Sequence, residues 1–243
     1  MIESNVYELI EQYSKILRLD LTSEEFARLV ADKNCSEESI QTTCELFHHL
    51  AVKKQATTVH TLLIMSRLPL KNPKTFENFD FSVIKGRDVE RLKNVSSLSA
   101  VYAHRNLAFI GPAGTGKTHL AQAFGYECCQ QGKPYFIKAS ELRDKLTNAR
   151  KAGKTASCLN SLVRPSCLII DEIGHCEFDQ ENTRLFFDLV DRRYNKEGSF
   201  NTVFTSNKNP ARWRDIFNED DALLCALDRI FDDAEVFKIR GES

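Results

Sequence analysis

The chain has 243 residues, 42% of them hydrophobic and 28% charged, which suits one medium domain or one domain with a small appendage. A formal net charge of −1 removes whole-chain electrostatics as an argument for or against nucleic acid. No apolar run approaches the roughly 18–20 residues of a membrane helix, and the acidic Met1-to-Glu8 opening is no secretory signal, so the expected location is cytoplasmic with no membrane association.

Eight cysteines are spread along the chain: Cys35, Cys44, Cys128, Cys129, Cys158, Cys167, Cys176 and Cys225. None forms a C-x-x-C pair, and no cluster has zinc-ligand spacing. They read as reduced thiols used as small hydrophobes.

Residues 1–50 hold ten acidic and four basic side chains, whereas residues 51–75 hold Lys53, Lys54, Arg67, Lys71 and Lys74 and no acid. Tyr7, Ile10, Tyr13, Ile16 and Leu17 recur at helical spacing, as do Leu46, Leu50, Leu62 and Leu63. Ser23 before Glu24-Glu25 reads as a helix start. Pro69 and Pro73 break the pattern. A small helical region is therefore expected over residues 1–74, for assembly or partner binding, with a second domain over 75–243. Lys71 to Phe81 reads as a linker anchored by Phe76, Phe79 and Phe81.

From Arg105 onward short apolar strands alternate with helical stretches. Strands are expected at Asn106–Ile110, Pro134–Lys138, Cys167–Ile170, Asn201–Thr205 and Glu235–Ile239, with a helix over His119–Gln131. That alternation predicts an α/β fold whose five-stranded parallel sheet is covered on both faces.

Between the first strand and its helix lies Gly111-Pro112-Ala113-Gly114-Thr115-Gly116-Lys117-Thr118, matching every fixed position of G-x-x-x-x-G-K-[ST]. Its glycines let successive N–H groups turn inward onto phosphate oxygens, and the helix N-terminus adds partial positive charge. Lys117 is expected to reach the β- and γ-phosphates and the Thr118 hydroxyl to ligate Mg²⁺. Cys167-Leu-Ile-Ile-Asp171-Glu172 is a buried strand with two carboxylates at its C-terminal end, where ligands bind in open α/β sheets. Asp171 is expected to hold the metal and Glu172 to act as general base toward water. Asn207 follows the next strand. It orients the attacking water or touches the γ-phosphate, or it serves only the turn Asn207-Lys-Asn-Pro210.

These motifs, with Thr-Phe-Glu-Asn-Phe-Asp-Phe (75–81), His119 after the loop, Arg-Arg-Tyr (192–194), Trp213, Leu-Asp-Arg-Ile (227–230) and Ile-Arg-Gly-Glu-Ser (239–243), resemble the IstB/DnaC group of AAA+ ATPases. The linker and the last five residues look more like IstB than DnaC. The resemblance implies an ATP-binding AAA+ core, using ATP and Mg²⁺, in a homo-oligomer. IstB-like proteins assemble on DNA, bend it and act on a transposase; DnaC-like proteins load a helicase. By resemblance residues 111–119 hold the nucleotide, Asn207 is sensor 1, and Arg229 reaches a neighbouring subunit's ATP. Arg229 as a helix arginine paired with Asp228 or Asp232 stays open, and Arg192 and Arg193 compete for its role. The group's pattern continues past Gly-Glu-Ser into a Tyr-Arg pair whose arginine is sensor 2. This sequence stops at Ser243, which puts normal ATP turnover in question.

Two basic stretches suit double-stranded DNA, Lys53–Lys74 and Arg143–Lys154. The latter holds Arg143, Lys145, Arg150, Lys151 and Lys154 against Asp144 alone. Cations without interleaved aromatics fit phosphates rather than base edges, so binding is expected to be non-specific. His48, His49, His104 and His175 show no ligand spacing and are assigned no chemistry. The reading is an ATPase that assists DNA transposition by regulating a transposase. The rivals are a helicase loader, a phosphotransferase using the same loop, and an ATP-binding scaffold without turnover.

Overall fold

Short apolar segments satisfy their buried backbone only by pairing with one another, and here they do so in a single parallel sheet. The computed structural model describes residues 3–85, 88–130, 132–217 and 220–241. Its helices are α1 Glu3–Leu17, α2 Ser23–Lys33, α3 Glu37–Ser66, α4 Val89–Asn94, α5 Ser99–Tyr102, α6 Lys117–Cys128, α7 Ala139–Lys151, α8 Thr155–Val163, α9 Gln180–Tyr194 and α10 Asp220–Phe231. Its strands are β1 Ile84–Lys85, β2 Leu107–Ile110, β3 Pro134–Lys138, β4 Cys167–Ile173, β5 Asn201–Ser206, β6 Glu235–Lys238 and β7 Arg240–Gly241. Contacts group the chain into two units, Met1–Thr61 and Leu62–Ser243.

In the first unit, Ile10, Phe26 and Cys44 form a small buried core with Tyr7, Tyr13 and Val30 packed around it. α2 begins at Ser23, as expected, and Thr22 caps it. Its hydroxyl accepts from the Glu25 N–H, and the Glu25 carboxylate accepts from the Thr22 N–H at 3.0 Å, a capping box.

In the second unit five strands pair in the order β3-β4-β5-β2-β6, all parallel. Alternate residues face opposite sides. Ala108, Ile110, Leu168, Ile170 and Phe204 pack toward buried residues of α7, α8, α9 and α10. Ile169 faces the other way, against α6, where a side chain at Gly125 would meet it and Leu68. The expected strands are all present within a residue at each start. β4 is the exception at its end: it continues beyond Ile170 to Ile173. The helix expected over His119–Gln131 runs Lys117–Cys128, and Gln131 lies outside the described residues, as do Glu242 and Ser243 of the tail motif.

A second, two-stranded sheet was not foreseen: β1 pairs antiparallel with β7. The cysteines are all unpaired. Cys44, Cys128, Cys129 and Cys167 are buried as expected, but Cys35 and Cys225 are exposed and do no core work. No helix among the described residues is long and apolar enough to cross a membrane.

Candidate functional site

The fully buried strand β2 delivers Gly111 to the C-terminal edge of the sheet, where its N–H donates to the Ser206 carbonyl at 3.1 Å. A Cβ at Gly111 would collide with the Ile239 carbonyl oxygen. Gly116, at φ +83°, turns the loop into α6, and a Cβ there would sit 2.6 Å from the Phe79 ring. The Thr115 hydroxyl donates to the Pro112 carbonyl at 2.9 Å, bracing the loop from within. The first N–H groups of α6 are left for an anion. Lys117 opens that helix, its Nζ donating to the Pro112 carbonyl at 2.5 Å. Burial lowers its pKa, while the nearby Asp171 and Glu172 carboxylates raise it.

The carboxylates stand on a break in the register. β4 and β5 pair evenly as far as Ile170 opposite Phe204 and resume at Ile173 opposite Ser206. Asp171 and Glu172 therefore face the single residue Thr205, which is a β-bulge, and Glu172 adopts φ +61°. A left-handed glutamate costs energy and is held by its surroundings. Here one hydroxyl holds both acids: Thr205 Oγ1 donates to Asp171 Oδ1 at 2.6 Å and accepts from the Glu172 N–H at 2.9 Å.

Asp171 is fully buried. Burial pushes its carboxyl up, and the Thr205 and Thr118 hydroxyls pull it back down. Thr118 Oγ1 donates to Oδ1 at 2.9 Å, while the buried Oδ2 has no protein partner. A buried carboxylate oxygen without a donor demands an explanation. A divalent cation would supply one, since one carboxylate and one hydroxyl form a donor set that suits Mg²⁺. Glu172, by contrast, is half-exposed, and its Oε2 lies 3.1 Å from Lys138 Nζ.

One cleft of about 320 Å³ is lined by Gly114, Lys117, Thr118, Glu172, His175, Thr205 and Asn207 among others, and the buried Asp171 is bonded to two of these, Thr118 and Thr205. The loop, both candidate metal ligands' neighbours and the proposed base thus converge from β2, β4 and β5. His119 also lines the cleft, but its Nε2 pairs with the Thr75 carbonyl at 2.9 Å and its ring meets Phe79 edge-on at 4.9 Å. Of the three linker phenylalanines, Phe79 is the buried one. Sequence gives Lys138 and Thr205 no role, and it assigns His175 no chemistry. Lys138 carries no local sequence signal: only the register of β3 on β4 sets it opposite Asp171.

Other expected site residues lie elsewhere. Arg229 on α10 pairs with Asp191 on α9 at 3.3 Å, not with Asp228 or Asp232. Arg192 pairs with Asp188 at 2.7 Å. Arg193 is buried, and its guanidinium donates to the carbonyls of Leu162, Val163, Pro165 and Asn201 and to the Thr202 hydroxyl. It is not free to reach another subunit. In the basic stretch, Arg150 pairs with Asp179 at 3.2 Å and Lys145 sits over the Tyr135 ring. Lys151, the last residue of α7, and Lys154, just before α8, are exposed.

The family described as IstB-like ATP binding protein matches residues 13–243. Among individual relatives, one described as the ATP-binding protein of insertion sequence IS5376 from Geobacillus stearothermophilus is 33% identical over 240 residues, covering 97% of this chain and 93% of its own. A second, from insertion sequence IS232 of Bacillus thuringiensis subsp. berliner, is 31% identical over 205 residues, covering 84% and 80%. Among solved structures, AMPPCP-bound DnaA from Aquifex aeolicus superposes with a TM-score of 0.58 at 21% identity, covering 71% of this chain and 52% of that one. At that identity the likeness is one of fold.

Proposed function

This chain belongs to the family of IstB-like ATP-binding proteins, and on that premise we propose that it is an ATP-hydrolysing AAA+ protein that assembles on double-stranded DNA and regulates a transposase. The observation that carries the proposal is the convergence of the phosphate loop and the left-handed Glu172 on one cleft, whose Thr118 is bonded to a buried Asp171 with an orphan oxygen.

In this reading the loop N–H groups and Lys117 bind the phosphates, and Thr118 and Asp171 would hold Mg²⁺, which would supply positive charge to the reacting phosphate. Glu172 takes a proton from the attacking water as its oxygen bonds to the γ-phosphorus and the bond to the β–γ bridging oxygen breaks. Asn207 orients that water. Arg229, released from Asp191, lends its guanidinium to a neighbouring subunit's γ-phosphoryl group, a contribution worth about 10³–10⁵ in rate in well-studied cases. A half-exposed carboxylate at the rim favours water as acceptor over a second substrate, hence hydrolysis over phosphotransfer. Lys151 and Lys154 supply DNA phosphate contacts, with Lys145 and Arg150 beside them. Residues 1–74 serve assembly and partner contact.

ATPase rate measured with and without duplex DNA tests the reading. Duplex is expected to change the rate of the parent protein. Glu172→Gln is expected to bind ATP normally and lose roughly 10²–10⁴ in rate, and Lys117→Ala to lose binding. Parental hydrolysis by Glu172→Gln, or no duplex binding in the presence of ATP, overturns it.

A further inference from the structure

The segment just beyond the proposed base is built to carry one more side chain into the cleft. The Glu172 carbonyl accepts from the His175 N–H at 3.2 Å, closing a tight turn over residues 172–175. Inside that turn Ile173 is buried in the core. Gly174 is at φ +118°, a conformation side chains rarely adopt, and a Cβ there would press on Asn207 Oδ1 at 3.2 Å and the Lys208 stem at 3.3 Å. His175 is thus the first residue after Glu172 able to face the cleft, and it lines it together with Lys117, Thr118 and Asn207. The bulge at Asp171–Glu172 and the positive φ of Glu172 aim the turn this way. Backbone strain of that kind is retained where it positions a working group.

The charge balance of the cleft points the same way. Glu172 at the cleft is paired with Lys138, which leaves Lys117 as the ammonium of the lining, with the buried Asp171 carboxylate close by. The loop N–H groups serve the α- and β-phosphates and Lys117 the β and γ, so further donors to a third phosphoryl group come from the other side chains that line the cleft. Neutral imidazole offers one N–H and imidazolium two.

We infer that His175 is a nucleotide-contacting residue that donates a hydrogen bond to the terminal phosphoryl group and so makes the site prefer a nucleoside triphosphate to a diphosphate. This rests on the nucleotide-site reading above. Titration calorimetry with the full chain and excess Mg²⁺, using AMPPCP and ADP as probes, separates the two claims. His175→Ala is expected to lose roughly 10-fold in AMPPCP affinity, the scale of one hydrogen bond to a charged group, with ADP affinity within about twofold of the parent. His175→Gln, which keeps an N–H donor, is expected to retain most of the preference. Three results overturn the inference: an unchanged AMPPCP-to-ADP ratio in His175→Ala, equal loss of both nucleotides, or a His175→Gln variant as impaired as His175→Ala. If the parent protein binds neither nucleotide, the site reading itself falls, and this inference with it.

Discussion

Arg193→Met should unfold the ATPase unit at a much lower temperature without any defect specific to catalysis. The substitution keeps the length of the stem and removes every N–H. Five partners lose their donor: four backbone carbonyls and the Thr202 hydroxyl. They tie together the end of α8, the entry to β4 and the start of β5. A buried acceptor left without its donor costs at least about 1 kcal/mol, so the loss is about 5 kcal/mol, less whatever water recovers. No carboxylate pairs with this guanidinium among the described residues; carbonyl dipoles, the Thr202 hydroxyl and the Phe200 ring face offset its burial, which pulls its pKa down to about 10. For a unit of this size each kcal/mol moves the midpoint by about 2–4 °C, giving a fall of about 10–20 °C. Differential scanning calorimetry reads it. At a temperature where the variant is still folded, ATP affinity should match the parent. A fall below about 2 °C combined with loss of hydrolysis would refute the reasoning, because Arg193 would then be reaching outward to a neighbour's nucleotide.

Lys138→Met should leave stability nearly unchanged, since exposed pairs are worth about 0.2–1 kcal/mol, while freeing Glu172 and raising ATPase rate up to about fivefold; a fall in rate would mean that Lys138 itself touches phosphate. Reversing charge at Lys151 and Lys154 together should weaken duplex binding about equally across sequences and shallow the salt slope by about 0.9 per lost phosphate contact. Unchanged affinity at several salt concentrations would move the DNA surface elsewhere. His119 gives a pH prediction. Burial holds its pKa below the ordinary 6.5, against the Thr75 carbonyl, which raises it, and with Lys74, which lowers it further. The unfolded chain therefore takes up a proton before the folded protein does, and stability falls as pH drops below about 6.5. His119→Asn should flatten that slope in denaturant titrations at pH 5.5 and 7.5, and an equally steep slope in the variant would contradict the assignment.

The phosphate loop and the five strands were legible because local pattern decides them: glycine spacing for the one, apolar runs for the others. What could not be read comes from pairing across the sheet. The strand carrying Asp171 and Glu172 was expected to end at Ile170, because two acids after four apolar residues look like a solvated terminus. Thr205, from the neighbouring strand, keeps them in the sheet by bonding both. Lys138 meets Glu172 only through the register of β3 on β4. Arg193 looked like a candidate finger since a helical arginine is usually exposed, and only the convergence of three segment ends shows where its donors go. His175 was passed over for lack of ligand spacing; a tight turn set by Gly174, not spacing, brings it to the cleft.

The order of strands also fixes a timetable. β2 leads directly into the phosphate loop, yet both of its neighbours, β5 and β6, come from far later in the chain. About 130 residues separate β2 from β6, and at 5–20 residues per second a ribosome needs roughly 6–25 s to add them. Until then β2 is an apolar ribbon with two bare edges, and Gly111 has neither Ser206 nor Ile239 to rest against. A nascent chain halted before Asn201 therefore holds the complete G-x-x-x-x-G-K-[ST] motif and should not retain ATP, whereas one whose residues have emerged past Gly241 should. In the interval the half-made sheet is open to any other extended strand, and this is the window in which a chaperone has most to protect.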